Sequence, residues 1–132
     1  MLKTVCYWIF TGLLTAWLLV GGVLDSFHGT APMAILHTLG YPEYLGSIVG
    51  AAKLLAVLAL LYPRTRLLRE WAYAGVTFDA LGAFFSHVAV GDGAVAAFAP
   101  LLLLAIAIAS YQLRPAAWRL FKDARNAVAE EA

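Results

Sequence analysis

Lys53 and Asp79 are ionisable residues that interrupt two long apolar segments of the sequence. An unpaired charge at the centre of a bilayer costs about 2.5–3.5 kcal/mol on insertion scales, so each residue requires a partner or a water-filled cavity. On helices that rise about 1.5 Å per residue, both lie at one depth, ~12 Å from the same boundary. We therefore predict an intramembrane ion pair between Lys53 and Asp79 on neighbouring antiparallel helices.

Small residues accompany both charges. Gly46 and Gly50 share the helix face of Lys53, and Gly75 and Gly82 share the face of Asp79. Such residues let two helices approach closely. Two interpretations of the pair stay open: a structural clasp that sets helix register, or the polar centre of a binding or proton-handling site.

A second polar group lies nearer one end of the apolar segments and consists of Asp25, His28, Ser86 and His87. Asp25 and His28 are three residues apart, so we expect them to share a face where the first segment ends. His87 is the histidine placed within a segment. Together with His37 and Glu43, these residues are predicted to form a polar mouth above the ion pair, the alternative being that they simply face water. No short zinc-ligand spacing is present, so no metal site is predicted.

The composition is that of an integral membrane protein, with 63% hydrophobic and 13% charged residues in a chain of 132. Nine Lys and Arg against eight Asp and Glu provide no basic surface for nucleic acid. The single cysteine, Cys6, excludes a paired-cysteine electron relay within the chain.

Four continuous apolar segments each approach the ~20 residues that cross a bilayer as a helix. They cover residues 5–24, 44–62, 71–90 and 94–113. Because the segments do not alternate between polar and apolar residues, they predict helices and not barrel strands. The predicted fold is an all-α bundle of four transmembrane helices within a membrane domain of residues 1–115.

Basic residues outside the spans are confined to one end of this bundle, which by the positive-inside rule places both termini in the cytoplasm. They are Lys3, Arg64, Arg66, Arg69, Arg114, Arg119, Lys122 and Arg125. In the tail, residues 116–132, apolar residues recur at helical spacing from Trp118 to Val128. This pattern predicts a short amphipathic helix on the lipid headgroups.

Several short segments between residues 40 and 115 form a recognisable pattern. They are Gly40, Tyr41 and Pro42 with Tyr44 and Leu45; Lys53, Leu54 and Leu55 through Leu61 and Pro63; residues 70–75; Ser86 and His87; and Gly91 and Asp92. The pattern resembles the DoxX-like family of small four-helix membrane proteins. This resemblance implies a four-helix bundle and an association with quinone-linked sulfur oxidation and oxidative-stress assemblies, and it assigns no catalytic residue.

These observations favour a multi-pass protein of a bacterial inner membrane, acting as an accessory or binding subunit of a redox or quinone-linked assembly. Its expected partners are the lipid bilayer and redox-complex subunits. No cofactor motif is evident, and a quinone is the ligand that the resemblance favours. One alternative is a quinone-dependent oxidoreductase in which His87 and Asp79 manage protons. Another is a transporter of a small solute or protons that works as a homodimer through Gly46 and Gly50.

The predicted ion pair can be tested by a double-mutant cycle on stability in detergent. Asp79→Asn is expected to lower the free energy of unfolding, and Lys53→Met is expected to restore part of that loss. A coupling energy of about 0.5–3 kcal/mol would indicate contact. Purely additive effects would contradict the pairing.

Overall fold

The computed structural model describes residues 1–62, 64 and 66–120, and this part of the chain is helical without strands. Five α-helices are followed by a single 3₁₀ turn: α1 Leu2–Ser26, α2 Thr30–Leu39, α3 Tyr44–Leu61, α4 Arg66–Val90, α5 Ala94–Leu113 and the turn Ala116–Trp118. By length and composition, α1, α3, α4 and α5 can each cross a membrane. The predicted all-α bundle with four spans is confirmed.

The four long helices form a closed ring in which α1 packs against α3 and α5, and α4 also packs against α3 and α5. We call the end that carries the α3–α4 connection and the end of α5 the arginine end, after Arg64, Arg69 and Arg114. The opposite end carries all three histidines and is called the histidine end. Which end faces the cytoplasm stays a prediction from the distribution of charge.

A core cluster fills the half of the bundle toward the arginine end. It consists of Leu14, Leu18, Val57, Leu60, Ala72, Tyr73, Val76, Leu103 and Ala107. Every long helix contributes at least two of these side chains, so their burial holds the ring together at this level.

Helix α2 was not among the helices predicted from the sequence. It lies at the histidine end and contacts α1, α3 and α4. Pro32 is tolerated because it occupies the first turn, where an amide hydrogen has no partner within the helix. Gly40 ends the helix in the left-handed conformation, with φ of 77°. At ten residues, α2 is too short to span a bilayer and instead covers the bundle.

The glycines of α3 pack against α1 and not against α4. A Cβ atom on Gly50 would lie 2.6 Å from the backbone nitrogen of Ser26 and 2.8 Å from the carbonyl oxygen of Gly22. A Cβ atom on Gly75 or Gly82 would meet nothing within 4 Å. The expected contact between the two glycine faces is therefore wrong. Because α1 covers Gly50, and α1 and α2 together cover Gly46, the homodimer of the transporter alternative could not use that pair without separating α3 from these helices.

The start of the tail folds back onto the bundle. Trp118 packs edge-on against Tyr7 and Trp8, with ring centroids 5.5 and 5.8 Å away, and its ring lies 4.9 Å from the guanidinium carbon of Arg69. The rest of the predicted amphipathic helix, from residue 121 onward, lies outside the described residues. The division into domains at residue 115 stays a prediction.

Replacing Gly50 by Ala tests the close approach of α1 and α3. The added methyl group would overlap the α1 backbone, so the free energy of unfolding in detergent is expected to fall by about 1–3 kcal/mol. Gly75→Ala is the matched control, since its methyl group enters open space and is expected to leave stability unchanged or raised. Equal effects of the two substitutions would contradict this packing.

Candidate functional site

A half-open cavity of about 630 Å³ lies between the helices at the histidine end. All five helices contribute to its walls, and α2 supplies Ala31, Pro32, Ile35, Leu36 and Leu39. Most of the lining is apolar and includes the aromatic rings of Trp17 and Phe78. The polar lining residues are Asp25, Tyr41, Lys53, Asp79, Ser86, His87 and Asp92. The arrangement is that of an apolar chamber with a few convergent polar groups, which is typical of a small-molecule site.

The charged residues in this chamber form a group of three and not a pair. The Lys53 ammonium donates a hydrogen bond to Asp25 Oδ2 at 2.7 Å, whereas Asp79 Oδ2 lies 3.9 Å from Lys53 Nζ. The predicted proximity of Lys53 and Asp79 is present, but Asp25 is the nearer partner. The glycine contact brings α1 close to α3, and the long lysine side chain can extend toward the histidine end to reach Asp25.

Sequence reasoning assigned Asp25 to the mouth because the first apolar segment ends at residue 24. Helix α1 continues to Ser26, and Asp25 is buried within its last turn. The buried residues of α1 include Leu14, Leu18, Gly22 and Asp25, at spacings of four, four and three. Asp25 thus continues the buried face of the helix, and this periodicity is the signal that could have placed it in the bundle.

His28 does not share a face with Asp25 as predicted, since the helix ends between them. His28 adopts a left-handed backbone conformation with φ of 52°. Its Nε2 lies 2.8 Å from Ser47 Oγ, so its hydrogen bond links the α1–α2 connection to α3. His28 is exposed and does not line the cavity among the described residues.

Ser86 and His87 do lie at the cavity, as the sequence suggested, and each is already hydrogen-bonded. Ser86 Oγ donates to the carbonyl oxygen of Gly82 at 2.8 Å, so the Tyr41 hydroxyl, also 2.8 Å away, must be the donor to Ser86. His87 Nδ1 lies 2.8 Å from Asp92 Oδ2 in the α4–α5 connection. These bonds connect the α2–α3 and α4–α5 connections to α4.

A second polar cluster, at the arginine end, was not predicted. The Ser110 hydroxyl lies 2.7 Å from both Thr11 Oγ1 and Tyr73 Oη, which links α1, α4 and α5. Next to it, Arg114 Nη1 lies 2.5 Å from Glu70 Oε1. Thr11, Tyr73 and Ser110 are single hydroxyl-bearing residues within apolar segments, and Glu70 and Arg114 flank such segments, so only their meeting in space reveals the network.

The arginine-end cluster has the character of a structural clasp. Arg114 lies over the ring of Tyr111, 4.0 Å from its centroid, so its charge is satisfied within the protein. The core cluster separates this network from the cavity. Within the described part of the chain, no group of three or more His, Cys, Asp or Glu residues could hold a metal ion.

The unequal distances to Lys53 predict unequal effects on stability. Asp25→Asn removes the negative charge nearest to the Lys53 ammonium and is expected to cost about 2 kcal/mol, while Asp79→Asn is expected to cost less. Each substitution is combined with Lys53→Met, and unfolding is followed in detergent by circular dichroism. The coupling energy is expected to be larger for Asp25. A larger coupling for Asp79 would contradict the geometry.

Comparison with known proteins places the chain in a family. The DoxX-like family matches residues 9–110, a stretch that contains every residue lining the cavity and extends the resemblance through most of the first span. No curated protein matches the chain. No solved structure matches it either. Since the match covers well over half of the 132 residues, this four-span membrane protein belongs to the DoxX-like family.

Proposed function

We propose that this DoxX-like protein binds a quinone in its cavity and serves as an accessory subunit of a redox assembly in a bacterial inner membrane. The observation that carries the proposal is the chamber of about 630 Å³, with apolar walls and a charged group on one side. This volume lies within the range of about 300–1,000 Å³ that is usual for small-molecule sites.

The lining residues fit the chemistry of a quinone. A quinone has a flat ring with hydrogen-bond acceptors and a long apolar tail. The Lys53 ammonium has three donor hydrogens, and Asp25 occupies one of them, so others remain for a ligand oxygen. Phe78 lines the cavity and is 75% exposed on the surface of α4. The cavity therefore reaches the lipid-facing surface at Phe78, where the apolar tail of a quinone could leave it.

The position of the cavity supports binding over transport. Its polar residues lie toward the histidine end, and the core cluster fills the bundle toward the arginine end. A transporter would need a route through these packed side chains. A binding subunit needs only access from the bilayer or from one end.

The contact between His87 and Asp92 favours a second candidate, an oxidoreductase that moves protons at the cavity wall. A partner subunit would then have to supply or accept the electrons. In that case His87→Gln would abolish quinone turnover by the assembled complex without weakening quinone binding. In an accessory subunit, the same substitution would leave turnover nearly unchanged.

Tryptophan fluorescence tests quinone binding directly, because Trp17 is the one of the four tryptophans that lines the cavity. A protein that keeps Trp17, with Trp8, Trp71 and Trp118 replaced by Phe, is titrated with decylubiquinone in detergent. Quenching of Trp17 is expected to saturate. In a control protein that keeps only Trp71, quenching is expected to rise without saturation.

Two variants control for specificity, one that fills part of the cavity and one that places the same side chain outside it. Gly82 lines the cavity and Gly75 does not, and a side chain at either position begins in open space. Gly82→Leu is expected to weaken saturable quenching at least about tenfold, while Gly75→Leu leaves it unchanged. Two results would overturn the proposed site. One is quenching of Trp17 that does not saturate, and the other is saturable quenching that Gly82→Leu leaves unchanged.

A further inference from the structure

We propose that the cavity selects the reduced, hydroxyl-bearing form of its ligand, a hydroquinone, and that one ligand hydroxyl bridges Lys53 and Asp79. This inference rests on the proposed quinone-binding function and names the redox form that the site prefers. It also assigns separate roles to the two aspartates: Asp25 positions Lys53, and Asp79 contacts the ligand.

The bridge follows from the distance between the two charged atoms. Lys53 Nζ and Asp79 Oδ2 are 3.9 Å apart, which is too long for a direct hydrogen bond. An oxygen atom about 2.8 Å from both can lie between them, with the two bonds meeting near a right angle. Such an oxygen must accept a hydrogen bond from the ammonium and donate one to the carboxylate. A hydroxyl group does both, whereas a quinone carbonyl only accepts.

Lys53 is not free to move toward Asp79 and remove the gap. Its hydrogen bond to Asp25 measures 2.7 Å, and the Asp25 side chain is only 13% exposed. The Asp79 side chain is 34% exposed and lines the cavity. Among the described residues, no protein donor lies within hydrogen-bond distance of Asp79. Asp79 is therefore the charged acceptor that this site presents to a ligand.

Most other polar side chains in the cavity already have a hydrogen-bond partner within the protein. The Ser86 hydroxyl accepts a hydrogen bond from the Tyr41 hydroxyl and donates one to the carbonyl oxygen of Gly82, and Nδ1 of His87 pairs with Asp92. Discrimination between ligands is thus concentrated at the gap between Lys53 and Asp79. An oxidised quinone would place a carbonyl acceptor against the Asp79 carboxylate and leave that carboxylate without a donor, which weakens binding.

Three ligands that differ in the hydrogen-bonding capacity of their ring oxygens provide the test. Decylubiquinol, decylubiquinone and the decylubiquinol derivative with both hydroxyls methylated are each titrated into the purified protein under anaerobic conditions. Affinity is obtained from the ligand dependence of the thermal unfolding midpoint in detergent. We expect the quinol to bind at least about tenfold more tightly than the quinone, and the methylated derivative to bind no better than the quinone.

Variants assign the preference to Asp79. Asp79→Asn is expected to bring the ratio of the quinol and quinone affinities close to one, because the amide can donate to a carbonyl and accept from a hydroxyl. Thr77→Val is the matched control on the same helix. Thr77 donates to the carbonyl oxygen of Tyr73 and does not line this cavity. Its substitution is expected to preserve the ratio.

The outcomes separate this inference from the proposed function. Equal affinities for quinol and quinone, or tighter binding of the quinone, would overturn the inference and leave quinone binding intact. A methylated derivative that binds as tightly as the quinol would also overturn it. If none of the three ligands shifts the unfolding midpoint, both proposals fail. If Asp79→Asn does not fold, the comparison of the three ligands on the natural protein still tests whether the cavity prefers the hydroquinone.

Discussion

The bundle depends on the placement of the Lys53 ammonium, because a charge inside a membrane span must have anionic partners within reach. The nearest partner, Asp25, belongs to α1, so α1 and α3 must approach closely enough for a hydrogen bond of 2.7 Å. Gly22 and Gly50 make that approach geometrically permissible. Glycine packing and charge pairing therefore act on the same helix pair. A side chain at Gly50 would disturb both at once.

This pairing divides the interior into two halves of different character. Toward the arginine end, aliphatic side chains and the Ser110 network fill the space between the helices. Toward the histidine end, the charged group prevents the interior from closing as an apolar core, and the chamber remains under α2. Membership of the DoxX-like family agrees with the four-span framework. The chemistry that we propose for this chain depends on the polar groups that line the chamber, above all the carboxylate of Asp79.

Several features could be predicted from residue types and periodicity, and others could not. Hydropathy identified the four spans, and helical rise placed Lys53 and Asp79 at one depth. Helix α2 was missed because Pro32 was interpreted as a break between spans, although it lies in the first turn of the helix, where proline is tolerated. Asp25 was misplaced because hydropathy ends a span at the first charge, although the buried face of α1 continues through that residue. The network around Ser110 combines residues nearly one hundred positions apart.

The sequence by itself determined that this protein is a helical membrane bundle, because the bilayer requires long apolar helices and makes every interior charge conspicuous. It also determined that Lys53 and Asp79 needed partners. Only the tertiary structure decided which partner each one obtained. Lys53 could reach an acid on either neighbouring helix, and the choice of Asp25 depended on how closely α1 approaches α3. That approach is a property of two packed backbones, which hydropathy and spacing along one chain do not specify.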